Sequence, residues 1–259
     1  MSALRRTAKQ LVRGALTSRA SRALLKLADF QLTAYRPVQD PMECLADHLA
    51  TVLSRLDINL VLDVGANKGQ TGTLLRRIGY RGRIVSFEPV SGNYRALVER
   101  ASRDPDWECL PLALGASESE QQINLTRHSV FDSFLNPTDY SLQRFGGDSE
   151  VIGSEVVRVR RLDDVIGECT AGIAAPRIFL KLDTQGYDSE VLSGASGCLS
   201  QVLGLQTELS LKPVYVGMVD YLDVLPRLQG LGFEVSGMFP VNRDGGLRVI
   251  EFDCVAVRG

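Results

Sequence analysis

Downstream of Pro37 and Pro41, the stretch 43–56 places Leu45, Leu49, Val52, Leu53 and Leu56 at the spacing of one helical face. The period then changes. Leu60-Val61-Leu62-Asp63-Val64 is a short apolar run closed by Gly65, which predicts a strand covered on both faces. Leu74, Leu75 and Ile78 follow at helical spacing, Arg83–Phe87 reads as a second strand, and 94–101 as a helix. Further strands are predicted at 108–112, 178–182, 203–209, 233–238 and 247–257. Strands alternating with helices imply an α/β fold built on a mostly parallel sheet with helices on both faces.

Between the third and fourth of these strands lies a longer stretch, 115–177. Ile123 and Leu125, and later Val157 and Val159, alternate as strand residues do, but the polar section 128–153 has no period. It reads either as a mobile loop or as an insertion that covers a substrate.

With 259 residues the chain makes one large domain or two small ones, and it shows no internal repeat. The simplest division is an N-terminal helical extension, 1–57, and one domain, 58–259. No run approaches the roughly 18 apolar residues that a membrane-spanning helix requires. The five cysteines are odd in number and scattered, without a Cys-x-x-Cys pair, and there are two histidines. That pattern argues against a disulfide framework and a structural zinc site, and suits a reducing compartment.

The 29 basic and 31 acidic residues nearly balance, so no overall field favours nucleic acid. The balance is uneven. Residues 1–28 carry seven basic side chains and no acid, a local charge of +7, which leaves 22 basic against 31 acidic residues, or -9, in the rest. Leu4, Ala8, Leu11, Val12, Ala15 and Leu16 recur at helical spacing there. Three readings fit: a basic amphipathic helix on an anionic membrane surface, an organellar leader, or a solvated helix packed on its own domain.

Two segments carry the candidate chemistry. In Asp63-Val64-Gly65-Ala66-Asn67-Lys68-Gly69-Gln70 a strand turns through glycine into a helix, where an open parallel sheet binds ligands. Gly65 and Gly69 let backbone approach a ligand, but their Gly-x-x-x-Gly spacing is not the fingerprint that seats a pyrophosphate. In Ser86-Phe87-Glu88-Pro89, Glu88 ends the second strand, where nucleoside-binding sheets place a carboxylate for the two ribose hydroxyls.

With these segments in view, the chain resembles the FkbM-type family of S-adenosylmethionine-dependent methyltransferases. The likeness is carried by DVGANKGQ at 63–70, SFEP at 86–89, PLALG at 111–115 and FLKLDTQGYDSEVLSGA at 179–195, with QTELSL at 206–211 as a weaker fifth block. It implies a class I methyltransferase Rossmann-like sheet of seven strands with the last antiparallel, a cytoplasmic enzyme, and S-adenosylmethionine as donor. It also implies O-methylation of a hydroxyl, often on a sugar of a glycolipid, polysaccharide or natural product. On that resemblance Asp63 lies near the methionine moiety, main-chain groups of Gly65, Ala66 and Asn67 complete that end, and Ala113 and Leu114 border the adenine. Two positions depart from the family pattern: Lys68, where an apolar residue is frequent, and Asp188, where Glu is common.

A hydroxyl needs a base to become a nucleophile. Asp183, at the end of the strand 178–182, is the first candidate, against a reading in which it only orients Lys181 or a loop amide. Glu208 points either into the acceptor cleft or to a structural partner, and His128 is the rival base. Asp183, Asp188 and Glu208 are the alternative ligands for a divalent cation, a reading their spacing does not favour. Acceptor recognition is expected in the 115–177 insertion and the C-terminal loops. Two other functions share this sheet: an NAD(P)-dependent oxidoreductase, which would need closer glycines and a Tyr-x-x-x-Lys pair, and a non-catalytic nucleoside-binding module.

Overall fold

Every side chain of the strand β1 (Leu60–Val64) is buried, because helices cover both faces of its sheet. The computed structural model describes residues 41–258. They run α1 (Pro41–Arg55), β1, α2 (Gln70–Arg77), β2 (Arg83–Phe87), α3 (Ser91–Ala101), β3 (Trp107–Leu110), β4 (Ala113–Leu114), β5 (Ser119–Thr126), α4 (Asp139–Phe145) and β6 (Val151–Arg160). Then follow α5 (Leu162–Cys169), β7 (Ile178–Leu182), α6 (Asp188–Gly194), β8 (Val202–Ser210), α7 (Tyr221–Gly230), β9 (Phe233–Arg243) and β10 (Val249–Arg258).

The main sheet has seven strands in the order β3-β2-β1-β7-β8-β10-β9. β1 is parallel to β2 and β7, β2 to β3, and β7 to β8, while the last strand, β10, is antiparallel to β8 and β9. This is the mostly parallel sheet that the strand pattern predicts, with the seven strands and antiparallel last strand that the resemblance implies. The chain order reverses between β1 and β7, so a crevice opens at the carboxyl ends of those strands.

Alternate side chains of each strand enter opposite layers. Leu60, Leu62 and Val64 of β1 pack with Leu180 and with α5, α6 and α7. Val61 packs on the other face with Phe179, Val255 and residues of α1, α2 and α3. Leu45, Leu49, Val52 and Leu53 of α1 are buried in that second layer, each contributing about 1.5–3 kcal/mol. The helix that the sequence division groups with the N-terminal extension is thus part of the core, and the compact unit begins at Pro41 rather than at 58. The basic segment 1–28 lies outside the described residues.

The 115–177 stretch is built on β5 and β6, an antiparallel pair that forms a second sheet with β4. The aperiodic section between them holds a short 3-10 turn, Ser129–Phe131, and α4, capped by Thr138, whose hydroxyl accepts from the Ser141 amide at 3.1 Å. No helix among the described residues is long and apolar enough to cross a membrane.

Candidate active site

The crevice at the switch point is lined by the ends of β1, β2 and β7, by Ala113 and Leu114 of β4, and by Ile123 to Phe134 of the insertion at several positions. Gly65, Ala66, Asn67, Glu88 and Asp183 all face it. The turn after β1 is fixed by the Phe87 carbonyl, which accepts from the amides of Gly65 at 3.1 Å and Ala66 at 3.0 Å. Gly65 has φ +78°, and a Cβ there would stand 2.0 Å from the Asp183 carbonyl oxygen. Only glycine lets the β1 and β7 turns meet. Gly69 does not line the crevice; it precedes α2 and lies against Leu97, Arg100 and Trp107.

Glu88 is buried at the end of β2, and its two carboxylate oxygens accept from the amides of Asn67 at 2.7 Å and Val90 at 2.9 Å. Burial pushes its pKa up to about 7, the two amides oppose that rise, and Asp132 adds to it. A carboxylate has about four lone-pair sites, so acceptor capacity remains toward the crevice. Lys68, the departure from the family pattern, is exposed.

Asp63 lies beneath the crevice and does not line it. It points into the layer of α1 and α2, is fully buried, and accepts from Ser86 Oγ at 3.1 Å. The Lys181 ammonium stands 3.3 Å from Asp63 Oδ1 and 3.1 Å from Asp183 Oδ2. Burial alone would depress the Lys181 pKa, but the carboxylates of Asp183 and Asp63 outweigh it and hold the amine above its ordinary value. The strand register makes the row: Ser86, Asp63, Lys181 and Gln206 are side-by-side partners on β2, β1, β7 and β8. Gln206 then donates to Asp253 Oδ1 of β10 at 2.8 Å.

Asp183 lines the crevice with a side chain 41% exposed, and Gln185 Nε2 donates to its Oδ1 at 2.7 Å. Gln185, held at φ +52°, also donates to Glu208 Oε2 at 3.4 Å and accepts from Tyr215 at 2.7 Å. Glu208 does not line the crevice, and its pKa is raised by burial and by the neighbouring Glu251 and Asp183. His128 is exposed on the insertion, away from the crevice lining. Asp188 is half-buried, with its oxygens engaged by the Thr184 amide at 2.9 Å and hydroxyl, and by Thr207 Oγ1 at 2.6 Å. Gln185 thus stands between Asp183 and Glu208, the oxygens of Asp188 are taken by threonines, and no group of three or more side chains that could hold a metal ion forms among the described residues.

Asp132, Ser129, Phe134 and Lys181 line the crevice without having been singled out by the sequence. Asp132 accepts from the Thr126 amide at 2.7 Å and from Asn93 at 3.2 Å, and Ser129 supplies a carbonyl to Asn67 Nδ2 at 2.7 Å. The insertion thus closes one wall of the crevice. The length of the insertion signals a covering role, but its aperiodic polar section does not say which side chains meet the crevice; for Lys181 the signal is a lysine inside an otherwise apolar strand.

Comparison with known proteins places these features in a family. Residues 63–235 match the family model of the methyltransferase FkbM domain, which takes in both strand-end acids, β7 and the insertion. The AMB antimetabolite synthetase AmbE of Pseudomonas aeruginosa is 29% identical over 233 residues, covering 77% of this chain. The chain spans about a tenth of the length of that curated relative. Among solved structures, an rRNA methylase from Streptococcus thermophilus aligns with 12% identity and a TM-score of 0.46, over 86% of this chain and 99% of that one. Magnesium protoporphyrin IX methyltransferase from Synechocystis PCC 6803, with bound SAM, aligns with 12% identity and a TM-score of 0.44, over 85% of this chain and 80% of that one. The match of the family model across most of the chain shows that this protein belongs to the FkbM methyltransferase family.

Proposed function

We propose that this protein is an S-adenosylmethionine-dependent O-methyltransferase whose acceptor is a hydroxyl, on a sugar of a glycolipid, polysaccharide or glycosylated natural product. The observation that carries the reading is Glu88, a buried carboxylate in the crevice at the switch point, beside an apolar slot formed with Phe87, Val90, Ala113 and Leu114. Those residues suit a ribose diol joined to a purine. Among the described lining residues Lys181 is the one basic side chain, and it already faces two carboxylates. The crevice therefore has no cationic clamp for a pyrophosphate, which favours a sulfonium nucleoside over a dinucleotide.

The bound donor supplies an electrophilic methyl on a cationic sulfur. Glu88 would hold the ribose hydroxyls, and main-chain groups of Gly65, Ala66 and Asn67 the methionine end. Asp63 acts from below, by fixing Lys181. Asp183, held by Lys181 and Gln185, keeps lone pairs for the proton that leaves the acceptor oxygen as that oxygen gains its methyl. Glu208 supports this residue through Gln185.

The basic segment 1–28 would bring such an enzyme to an anionic surface from the cytoplasm; co-sedimentation with anionic liposomes, with and without that segment, tests attachment. Incubation with methyl-labelled donor and extracts of glycolipids and glycosides, followed by location of the label, tests the reaction. Label on a sugar oxygen supports the reading, and label on nitrogen or carbon alone overturns it.

A further inference from the structure

A second cleft adjoins the first. Gln70, Thr71, Lys181 and Asp183 line both, so the two meet at the carboxylate assigned as base. Beyond that junction the second cleft has an apolar wall, Met42, Leu45 and Leu49 from α1 and Leu74 from α2. Its floor is polar, made by Lys181, Gln206 and Asp253.

That floor is unusual for its place. It is the face of the sheet on which Val61, Phe179 and Val255 pack against α1, α2 and α3, and a buried face of that kind normally stays apolar toward the helices above it. Here adjacent strands bring the polar side chains of Asp63, Lys181 and Gln206 to one level, and Gln206 reaches diagonally to Asp253 of β10. Over the end of that row α1 and α2 leave a space of about 360 Å3 instead of closing. The insertion, meanwhile, lends Ile123, Ser129, Val130, Asp132 and Phe134 to the first cleft and none to the second.

We infer that the second cleft is the acceptor subsite, and that its ligand joins the reactive hydroxyl to an apolar segment, as a lipid-linked or aglycone-bearing glycoside does. The inference rests on the methyltransferase reading above. Polar floor and leucine wall divide the ligand's two halves between them, and the hydroxyl half meets the donor crevice at Asp183. A free sugar would leave the wall unused, and a purely apolar ligand would strip water from the partly exposed carboxylates of Asp183 and Asp253 without replacing its hydrogen bonds.

The test uses the full chain with saturating S-adenosylhomocysteine and two probes of the same head group, n-octyl β-D-glucoside below its micelle concentration and methyl β-D-glucoside, with binding followed by calorimetry. The octyl compound is expected to bind about tenfold or more tighter than the methyl compound. Leu74→Trp, which fills the cleft, and Met42→Glu, which charges its exposed mouth, should each abolish that preference while S-adenosylhomocysteine binds as before. Equal affinity for the two glucosides, no saturable binding of the octyl compound, or a preference unchanged in both variants would overturn the inference. Failure of S-adenosylhomocysteine itself to bind the parental protein would instead overturn the donor reading on which it rests.

Discussion

Lys181 stands 3.3 Å from Asp63, an ion pair with both side chains almost wholly buried. Removing one partner of such a pair leaves an uncompensated charge, which costs about 3–5 kcal/mol. Lys181→Met is therefore expected to lower stability by that amount in urea unfolding, and Asp63→Asn combined with Lys181→Met to restore part of it. Because the lysine is held above its ordinary pKa, its contribution is fully present across neutral pH and is lost only as pH rises through that elevated value. A double variant no more stable than Lys181→Met alone would show that the two side chains are not coupled.

Gly65 offers a separate test of the turn. Gly65→Ala meets both a left-handed φ and the Asp183 carbonyl, whereas Gly79→Ala, at φ +92°, meets nothing within 4 Å. The second is expected to cost about 1–2 kcal/mol and the first clearly more, by the same unfolding measurement. Equal losses would mean that the two turns do not touch in solution.

Glu88 makes donor affinity depend on pH. Its folded pKa of about 7 means that a proton competes with the ribose hydroxyls below neutrality. S-adenosylhomocysteine affinity is expected to fall by up to about tenfold for each pH unit below 7, and to stay level above it. In Glu88→Gln the slope should vanish and affinity at pH 8 should drop by about 1–3 kcal/mol. Titration calorimetry between pH 5.5 and 8.5, the range set around that value, reads both effects. A slope that persists in the variant would assign the titrating group elsewhere.

Asp183→Asn removes the proposed proton acceptor but keeps the shape. Donor affinity is expected to hold while transfer to a hydroxyl falls by about 10²–10⁴-fold. Transfer of labelled methyl at the parental rate would remove Asp183 from the role. His128→Ala, changing an exposed side chain off the crevice, is expected to transfer at the parental rate.

Much of this arrangement was legible in the sequence. The run 60–64 and the acid at 88 declared themselves because an apolar strand that ends in glycine, and another that ends in a carboxylate, are local patterns. Lys181 and Asp63 are a different matter: their contact exists because β1 and β7 are neighbours in register, and strand order is not written in any window of residues. The same holds for Gln185, whose bonds reach Asp183, Glu208 and Tyr215 from three segments. The wall built by 123–134 was hidden by polarity, since its side chains bond one another and the crevice instead of filling a periodic face. The place of α1 is not legible for another reason. Its amphipathic pattern shows that one face is buried and does not say against what.

The central claim is that the crevice beside Glu88 takes a sulfonium nucleoside, and calorimetric titration of the parental protein with S-adenosylhomocysteine and, separately, with NAD tests it most directly. The expected result is saturable one-to-one heat with S-adenosylhomocysteine, none with NAD, and weakened binding in Glu88→Ala. Saturable NAD binding with none for S-adenosylhomocysteine, or a nucleoside that binds Glu88→Ala as tightly as the parent, would contradict it.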